Sequence, residues 1–395
     1  MKRGGQSYYF GLGKNTLFIA VVVTVAIAAA TVWLWAASQT VQPAAQPSAK
    51  STQSPTLTTN VVVQGYSPIW DVDFLTSGDM LFTERKGVIN TFKDGQSRAL
   101  ATISDVSAKG EGGLMALAVD PKFDSNRFIY TCFNSSKNDI RIVRWRVSPD
   151  VTALESRVDI VTGIPANATG RHSGCQLVFG PDSYLWVGTG DSAQGDTGIQ
   201  PKSLGGKILR IDRDGSPAPG NIGGQYDPRV FSYGHRNVQG LAFFAEPING
   251  LLGISTEHGS DTDDEINPLR AGNFGWAPAA KGYNETGVPM TDKKRFPDAV
   301  DALWSSGKPT QALSGATILK GSQWKSWEGA LVVATLKAQH LKIMFFDQNA
   351  KIVSDQKEFS NQFGRIRTAV QGPDGNLYMT TDNSLNNQII RVTPH

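Results

Sequence analysis

Cysteine is nearly missing from this 395-residue chain, which holds only Cys132 and Cys175 and no CxxC pair. That argues against metal binding through thiolates. In an exported protein the two could form one disulfide, but spacing alone does not establish the geometry. Charge is scarce as well: Asp, Glu, Lys and Arg make up 18% of residues and leave a net charge of +3. Nucleic-acid binders gather basic residues on one face or helix; nothing here suggests that, and nucleic acid is set aside as a partner. The small positive excess reads as solvated surface. Residues 59–395 also lack an amphipathic helix of ordinary length. No evident nucleophile stands paired with a base, which disfavours a hydrolase. What the chain does have is 40% apolar residues, 41 Gly and 20 Pro, enough for a large core interrupted by many turns.

The N-terminus is the clearest segment. Leu17 to Ala37 reads LFIAVVVTVAIAAATVWLWAA, without a charge, and follows Lys2, Arg3 and Lys14. Roughly 20 apolar residues cross a hydrocarbon core, and basic residues on the N-terminal side place residues 1–16 in the cytoplasm. The stretch exceeds the apolar part of a cleaved signal peptide, about 7–15 residues. Residues 17–37 are therefore read as an uncleaved single-pass anchor in the inner (cytoplasmic) membrane. Trp33 and Trp35 suit its outer interface. Residues 38–58, rich in Gln, Pro, Ala and Ser, read as a flexible tether. The folded domain is expected over 59–395, outside the cytoplasm.

That domain repeats itself. Cys175 to Asp191 (CQLVFGPDSYLWVGTGD) and Thr368 to Asn383 (TAVQGPDGNLYMTTDN) share one plan: strand, G-P-D turn, strand, then Thr and Asp. Looser copies begin at Trp70, Leu114, Gly240 and Gly315, each followed by further β-prone runs such as GKILRID and NQIIRVT. Six copies at a spacing of roughly 45–75 residues fit four-stranded units in series. The expected fold is all-β: a six-bladed β-propeller preceded by one N-terminal transmembrane helix. The last copy has room for only three strands, so Thr59 to Gln64 is expected to supply the fourth and close the ring. Loops between first and second strands, or between blades, are expected to surround one mouth.

Polar residues concentrate in the connecting segments. Lys109 to Gly113 precedes the second copy, Arg171-His172-Ser173-Gly174 the third, and Gly234-His235-Arg236-Asn237 the fourth. Thr256 to Glu265 (TEHGSDTDDE) ends the second strand of the fourth copy, Lys337 ends that of the fifth, and Arg365 and Arg367 introduce the sixth. If these meet, the cations Arg236, Lys337, Arg365 and Arg367 would repel one another unless an anion lay between them, and arginine forks suit planar carboxylates. The acidic loop suggests calcium, although it lacks the EF-hand pattern. His235, in a strand-end turn, reads as a structural hydrogen-bonder, and His340 and His395 as surface residues.

The runs GGLMALAVDPKF, RHSGCQLVFGPD, LGGKILRIDRDG, YGHRNVQGLAF and EHGSDTDDEINPLRAGNFGW resemble the soluble quinoprotein glucose/sorbosone dehydrogenases, colinearly over nearly all of 59–395. The resemblance implies pyrroloquinoline quinone (PQQ) and calcium at the channel mouth, a small-molecule sugar substrate, and a periplasmic or other extracytoplasmic location. It implies that His172 is the general base, that Arg236 belongs to the catalytic set with it, and that Arg236 and Asn237 contact the cofactor. Thr310, Lys337, Arg365 and Arg367 would hold its carboxylates and quinone oxygens. Gly259 and Ser260 would offer carbonyls to the cofactor's calcium. Asp264, Glu265 and the Phe274 backbone would form a second calcium site. Two positions depart from the pattern: Glu111 and His258 stand where the family has glutamines. Glu111 joins the catalytic set as a carboxylate able to orient His172, and His258 joins the cofactor contacts. The alternative is a non-catalytic, calcium-stabilised propeller that serves as a binding module. Neither the sugar nor the electron acceptor can be read from the residues.

Overall fold

The computed structural model describes residues 1, 4–5, 51–279 and 283–395. The expected anchor at 17–37 lies outside the described residues; among those described, no helix is long and apolar enough to cross a membrane.

Six sheets follow one another around a ring, antiparallel except where Gly272–Asn273 adds a short parallel fifth strand to Val230–Tyr233, so the chain is an all-β six-bladed propeller. Blade 1 runs Ile69–Phe74, Met80–Glu84, Val88–Lys93 and Gln96–Thr102, from hub to rim. Blade 2 begins with Leu114–Val119, blade 3 with Gly174–Phe179, blade 4 with Val238–Ile248 and blade 5 with Leu313–Ile318. Blade 6 has three strands from the C-terminus (Ile366–Gln371, Leu377–Thr381, Asn387–Pro394) and takes its fourth, Leu57–Tyr66, from the start of the domain. That strand pairs antiparallel from Leu57↔Pro394 to Tyr66↔Asn387. The closure expected around Thr59–Gln64 is thus present and slightly longer. Backbone bonds at Thr56 and Gln53 extend the ordered chain into the segment read as a tether.

The two G-P-D turns show why the motif recurs. Asp182 accepts from the Tyr184 amide and from Trp186 Nε1 (3.1 Å); Asp374 accepts from the Asn376 amide and from Tyr378 Oη (2.8 Å). Each carboxylate thus closes an Asx turn and holds the aromatic ring of the following strand. The glycine beside it lies flat against that ring: a Cβ on Gly180 would come within 2.5 Å of Trp186 Nε1.

Second strands such as Leu185–Thr189 and Leu377–Thr381 are buried along their whole length, because blades cover both faces of each sheet. The core lies between blades, where each buried large side chain contributes roughly 1.5–3 kcal/mol. Threonine hydroxyls on second or first strands add cross-links: Thr83 to Met115 O, Thr256 to Ser314 O and Thr368 to Trp70 O. Cys132 and Cys175 form a disulfide between blades 2 and 3, with Cα atoms 5.8 Å apart.

Antiparallel order also decides which loops share a face. Connections between blades and connections between second and third strands emerge together. First-to-second turns, including both G-P-D turns, lie at the opposite end. That corrects the expectation that first-to-second loops ring the mouth. At the opposite end the hub holds a cavity of about 320 Å³, lined by Asp71, Asp73, Gln176 and Lys320 among apolar residues.

Candidate active site

His172 sits in the blade 2–3 connection with φ +48°. It is 6% exposed, and its Nδ1 lies 2.7 Å from Asp191 Oδ1. A carboxylate against Nδ1 keeps a proton on that nitrogen, leaving Nε2 as the free lone pair. No described group bonds Nε2. Asp191 lies two residues beyond the second strand of blade 3 (Leu185–Thr189) and is fully buried. It also accepts from the Ala193 amide (2.8 Å), Trp276 Nε1 (2.7 Å) and Tyr283 Oη (3.1 Å). The loop beneath it is pinned by Lys207, whose Nζ donates to the carbonyls of Thr197, Gly198 and Gly205, each at 2.8 Å. Burial pulls this ammonium down to about 7, with Asp191 opposing.

The blade 3–4 connection brings in Arg236 and Asn237. Arg236 donates through Nε to Glu285 (2.8 Å) and through NH1 to the His258 carbonyl (2.9 Å). Asn237 Nδ2 reaches Glu111 Oε2 at 3.1 Å, and Gln239 Nε2 reaches Glu111 Oε1 at 2.6 Å. Gln239 accepts from Arg367 NH1 (2.9 Å), while Arg367 NH2 pairs with Asp382 (2.6 Å) and its guanidinium stacks on Trp70 at 3.9 Å. The imidazole, two buried arginines and the amides are thus neighbours on one face. Burial, aided by Arg367 and Arg236, holds His258 well below its ordinary value, so its ring is neutral.

Residues 66–391 match the Glucose / Sorbosone dehydrogenase family. The chain belongs to that family. The aldose sugar dehydrogenase of Escherichia coli is 29% identical over 339 residues, covering 82% of this chain and 90% of that protein. Quinoprotein glucose dehydrogenase B of Acinetobacter calcoaceticus is 28% identical over 365 residues, covering 71% and 75%. The structure of the PQQ-bound form of an aldose sugar dehydrogenase from Streptomyces coelicolor aligns with TM-score 0.70 at 30% identity, over 86% of this chain and 100% of that one.

Within this glucose/sorbosone dehydrogenase frame, most of the expected residues reach the mouth. Lys337 Nζ contacts Thr310 Oγ1 (3.2 Å), and exposed Arg365 bonds the Asp382 carbonyl (3.2 Å). Glu111 meets Asn237 and Gln239, not His172; Asp191 takes the orienting place expected of Glu111. Asp264 and Glu265 do not face one ion, because neighbouring residues entering a strand point to opposite sides. Asp264 accepts from the amides of Gly259 (2.9 Å), Gln311 (2.5 Å) and Ala312 (2.6 Å), tying the Gly259 loop to the Thr310 loop. Burial outweighs those bonds and raises its carboxyl.

Glu265 faces Glu257, Asn267 and Thr291 instead. Burial, with Glu257 beside it, pushes Glu265 up to about 8, and Asn267 Oδ1 is buried without a partner. The Phe274 ring stacks on His235 at 4.4 Å. His235 is satisfied on both nitrogens, by Ser232 and Glu257, as a structural residue. His340, expected at the surface, is buried against the Ala338 carbonyl. Among the described residues no three His, Cys, Asp or Glu side chains converge on one metal position, so a cation would draw on backbone carbonyls. Neither the Gly259 nor the Ser260 carbonyl accepts a hydrogen bond from a described residue.

Sequence reasoning missed Asp191, Trp276, Tyr283 and Glu285 as site residues. Only Asp191 left a signal, as the terminal Asp of the repeat. In the sixth copy the position that aligns with Asp191 is Asn383, and the preceding residue, Asp382, pairs with Arg367.

Proposed function

We propose that this chain oxidises the anomeric carbon of an aldose to a lactone, using PQQ and calcium at the propeller mouth. One observation carries the reading: an Asp191-oriented imidazole converges with the buried guanidinium groups of Arg236 and Arg367. Unspent polar atoms fit a polar, anionic cofactor: Arg367 Nε is a buried donor without a partner, and beside it Asn237 Oδ1 and His258 Nε2 are buried without partners as well. Arg236, Asn237, His258, Thr310, Lys337, Arg365 and Arg367 would hold it, the guanidinium forks matching flat carboxylates. When bound, the quinone supplies the redox step by accepting hydride from the sugar carbon.

His172 performs the proton transfer. Its Nε2 takes the proton of the anomeric hydroxyl while Nδ1 stays bonded to Asp191, which stabilises the imidazolium. The surrounding cations stabilise the negative charge that develops during oxidation. Calcium suits the Gly259 and Ser260 carbonyls, and a second ion suits Glu265 with Asn267 and the Phe274 backbone, all hard oxygen donors. The stretch 17–37 anchors the chain in the inner membrane with the propeller in the periplasm or another extracytoplasmic space; the disulfide agrees with an oxidising compartment.

Titrating calcium-loaded apoprotein with PQQ, then adding aldoses and a dye acceptor, tests this. Saturable quinone binding with dye reduction is expected. Folded protein that binds quinone yet reduces no dye with any aldose refutes the enzyme. The ion pairs already formed by Arg236 and Arg367 favour a second reading, a calcium-stabilised binding module, and failure to bind quinone would decide for it.

A further inference from the structure

Arg236 is buried, yet its guanidinium is already engaged on each side. Nε and NH2 both meet Glu285 Oε2 at 2.8 Å, and NH1 donates to the His258 carbonyl. Glu285 is 49 residues away in sequence and bonds more than this arginine. It accepts from Arg171 NH2 at 3.0 Å, and the Tyr283 hydroxyl, 3.1 Å from both Glu285 and Asp191, has one proton for the two carboxylates to share. Tyr283 stands edge-on to His172, with ring centroids 5.7 Å apart, and its hydroxyl also reaches Asp191. One carboxylate therefore bridges the blade 2–3 connection, through Arg171, to the blade 3–4 connection, through Arg236, and crosses the general base on the way.

This arrangement has an electrostatic consequence. An anionic oxygen approaching Arg236 meets a guanidinium whose field Glu285 already offsets, and it must share or displace that carboxylate. Arg367 is paired too, with Asp382 at 2.6 Å, but its Nε is buried without a partner and stays free to donate. Glu285 is also well placed to leave: its side chain is 21% exposed, and its second cation, Arg171, is 53% exposed. The Arg236 side chain is only 6% exposed, so Glu285 yields that pairing only to an anion that takes its place, while Arg171 keeps the released carboxylate partnered.

We propose that Glu285 sets how tightly this chain holds the anionic cofactor, closing Arg236 in the free protein and yielding it when the cofactor's anionic oxygen arrives. The inference rests on the quinone reading above. It gives Glu285→Gln two effects of opposite sign. The free protein loses charge-assisted bonds and melts at a lower temperature, while the cofactor binds more tightly. A purely structural glutamate would weaken both.

The test titrates the full wild-type and Glu285→Gln chains with PQQ in calcium, following cofactor absorbance, and compares melting of the two cofactor-free proteins. The Gln chain is expected to bind roughly tenfold tighter, the scale of one removed charge in a partly screened site, and to melt lower. Equal or weaker binding overturns the inference and leaves the quinone reading standing. No binding by either chain overturns both. Should the Gln chain fail to fold, Glu285→Ala decides in the same way: tighter binding supports the inference, and equal or weaker binding overturns it.

Discussion

Asp191→Asn replaces one oxygen by an NH2 group and should disable the proton transfer. Four donors converge on this carboxylate: His172 Nδ1 and the Ala193 amide on Oδ1, Trp276 Nε1 and Tyr283 Oη on Oδ2. An amide has a single acceptor oxygen, so either orientation turns its NH2 group toward a pair of donors. Facing His172, it forces the tautomer with Nε2 protonated, which has no lone pair for the sugar, and it opposes the Ala193 amide. Facing Trp276, it meets an indole N–H that can only donate. Each orientation leaves a buried N–H unsatisfied, at about 1–3 kcal/mol, or about 1–4 °C in Tm for a domain this large. Loss of the carboxylate charge also removes its support of the imidazolium. The expected fall in kcat is roughly 10²–10⁴-fold. Dye-linked aldose oxidation measures it, with PQQ affinity from absorbance staying within about threefold because Asp191 is not among the residues assigned to the cofactor. A folded, quinone-loaded Asp191→Asn chain with kcat within about threefold of wild type would refute the assignment of His172 and Asp191.

Three further outcomes follow from buried groups. The Cys132–Cys175 bond spans 43 residues, so replacing both by Ser should cost roughly 4 kcal/mol, about 5 °C in Tm; an unchanged melting curve would contradict a formed bridge. Burial, aided by Asp73, pushes Asp71 up to about 8 from 3.8. A carboxyl raised on folding favours the native state at pH below the unfolded value, and that benefit is lost as pH rises through the folded one. Wild-type stability should therefore fall between about pH 4 and 8 by up to about 1.4 kcal/mol per unit from this group, and Asp71→Asn should flatten the slope in Tm against pH; parallel slopes would be inconsistent with it. Lys207→Met strands three carbonyls at the base of the Asp191 loop, for an expected loss of about 2–4 kcal/mol in denaturant unfolding; no loss would mean that the ammonium does not hold the loop.

Much of the fold was legible because a propeller is local repetition. Turn aspartates, flanking glycines and short β-prone runs act within a few residues, and their recurrence counted the blades. The need for a closing strand followed from the short last copy. Which loops share a face was not legible, since that depends on strand direction within each blade. Glu111 shows the same limit: the carboxylate expected to orient His172 instead satisfies Asn237 and Gln239, 126 and 128 residues away.

The chain by itself determined the six repeats, the all-β class, the ring closure, and which connections carry His172, Arg236 and Arg367. These depend on patterns that neighbouring residues complete among themselves. Tertiary structure alone decided the partners: Asp191 for His172, Glu285 for Arg236, Asp382 for Arg367, and Cys132 for Cys175. It also separated Asp264 from Glu265, which adjoin in sequence but face opposite sides of a sheet. Hydrogen bonds and ion pairs act over about 3 Å, and only the closed ring of blades brings residues from distant repeats within that range.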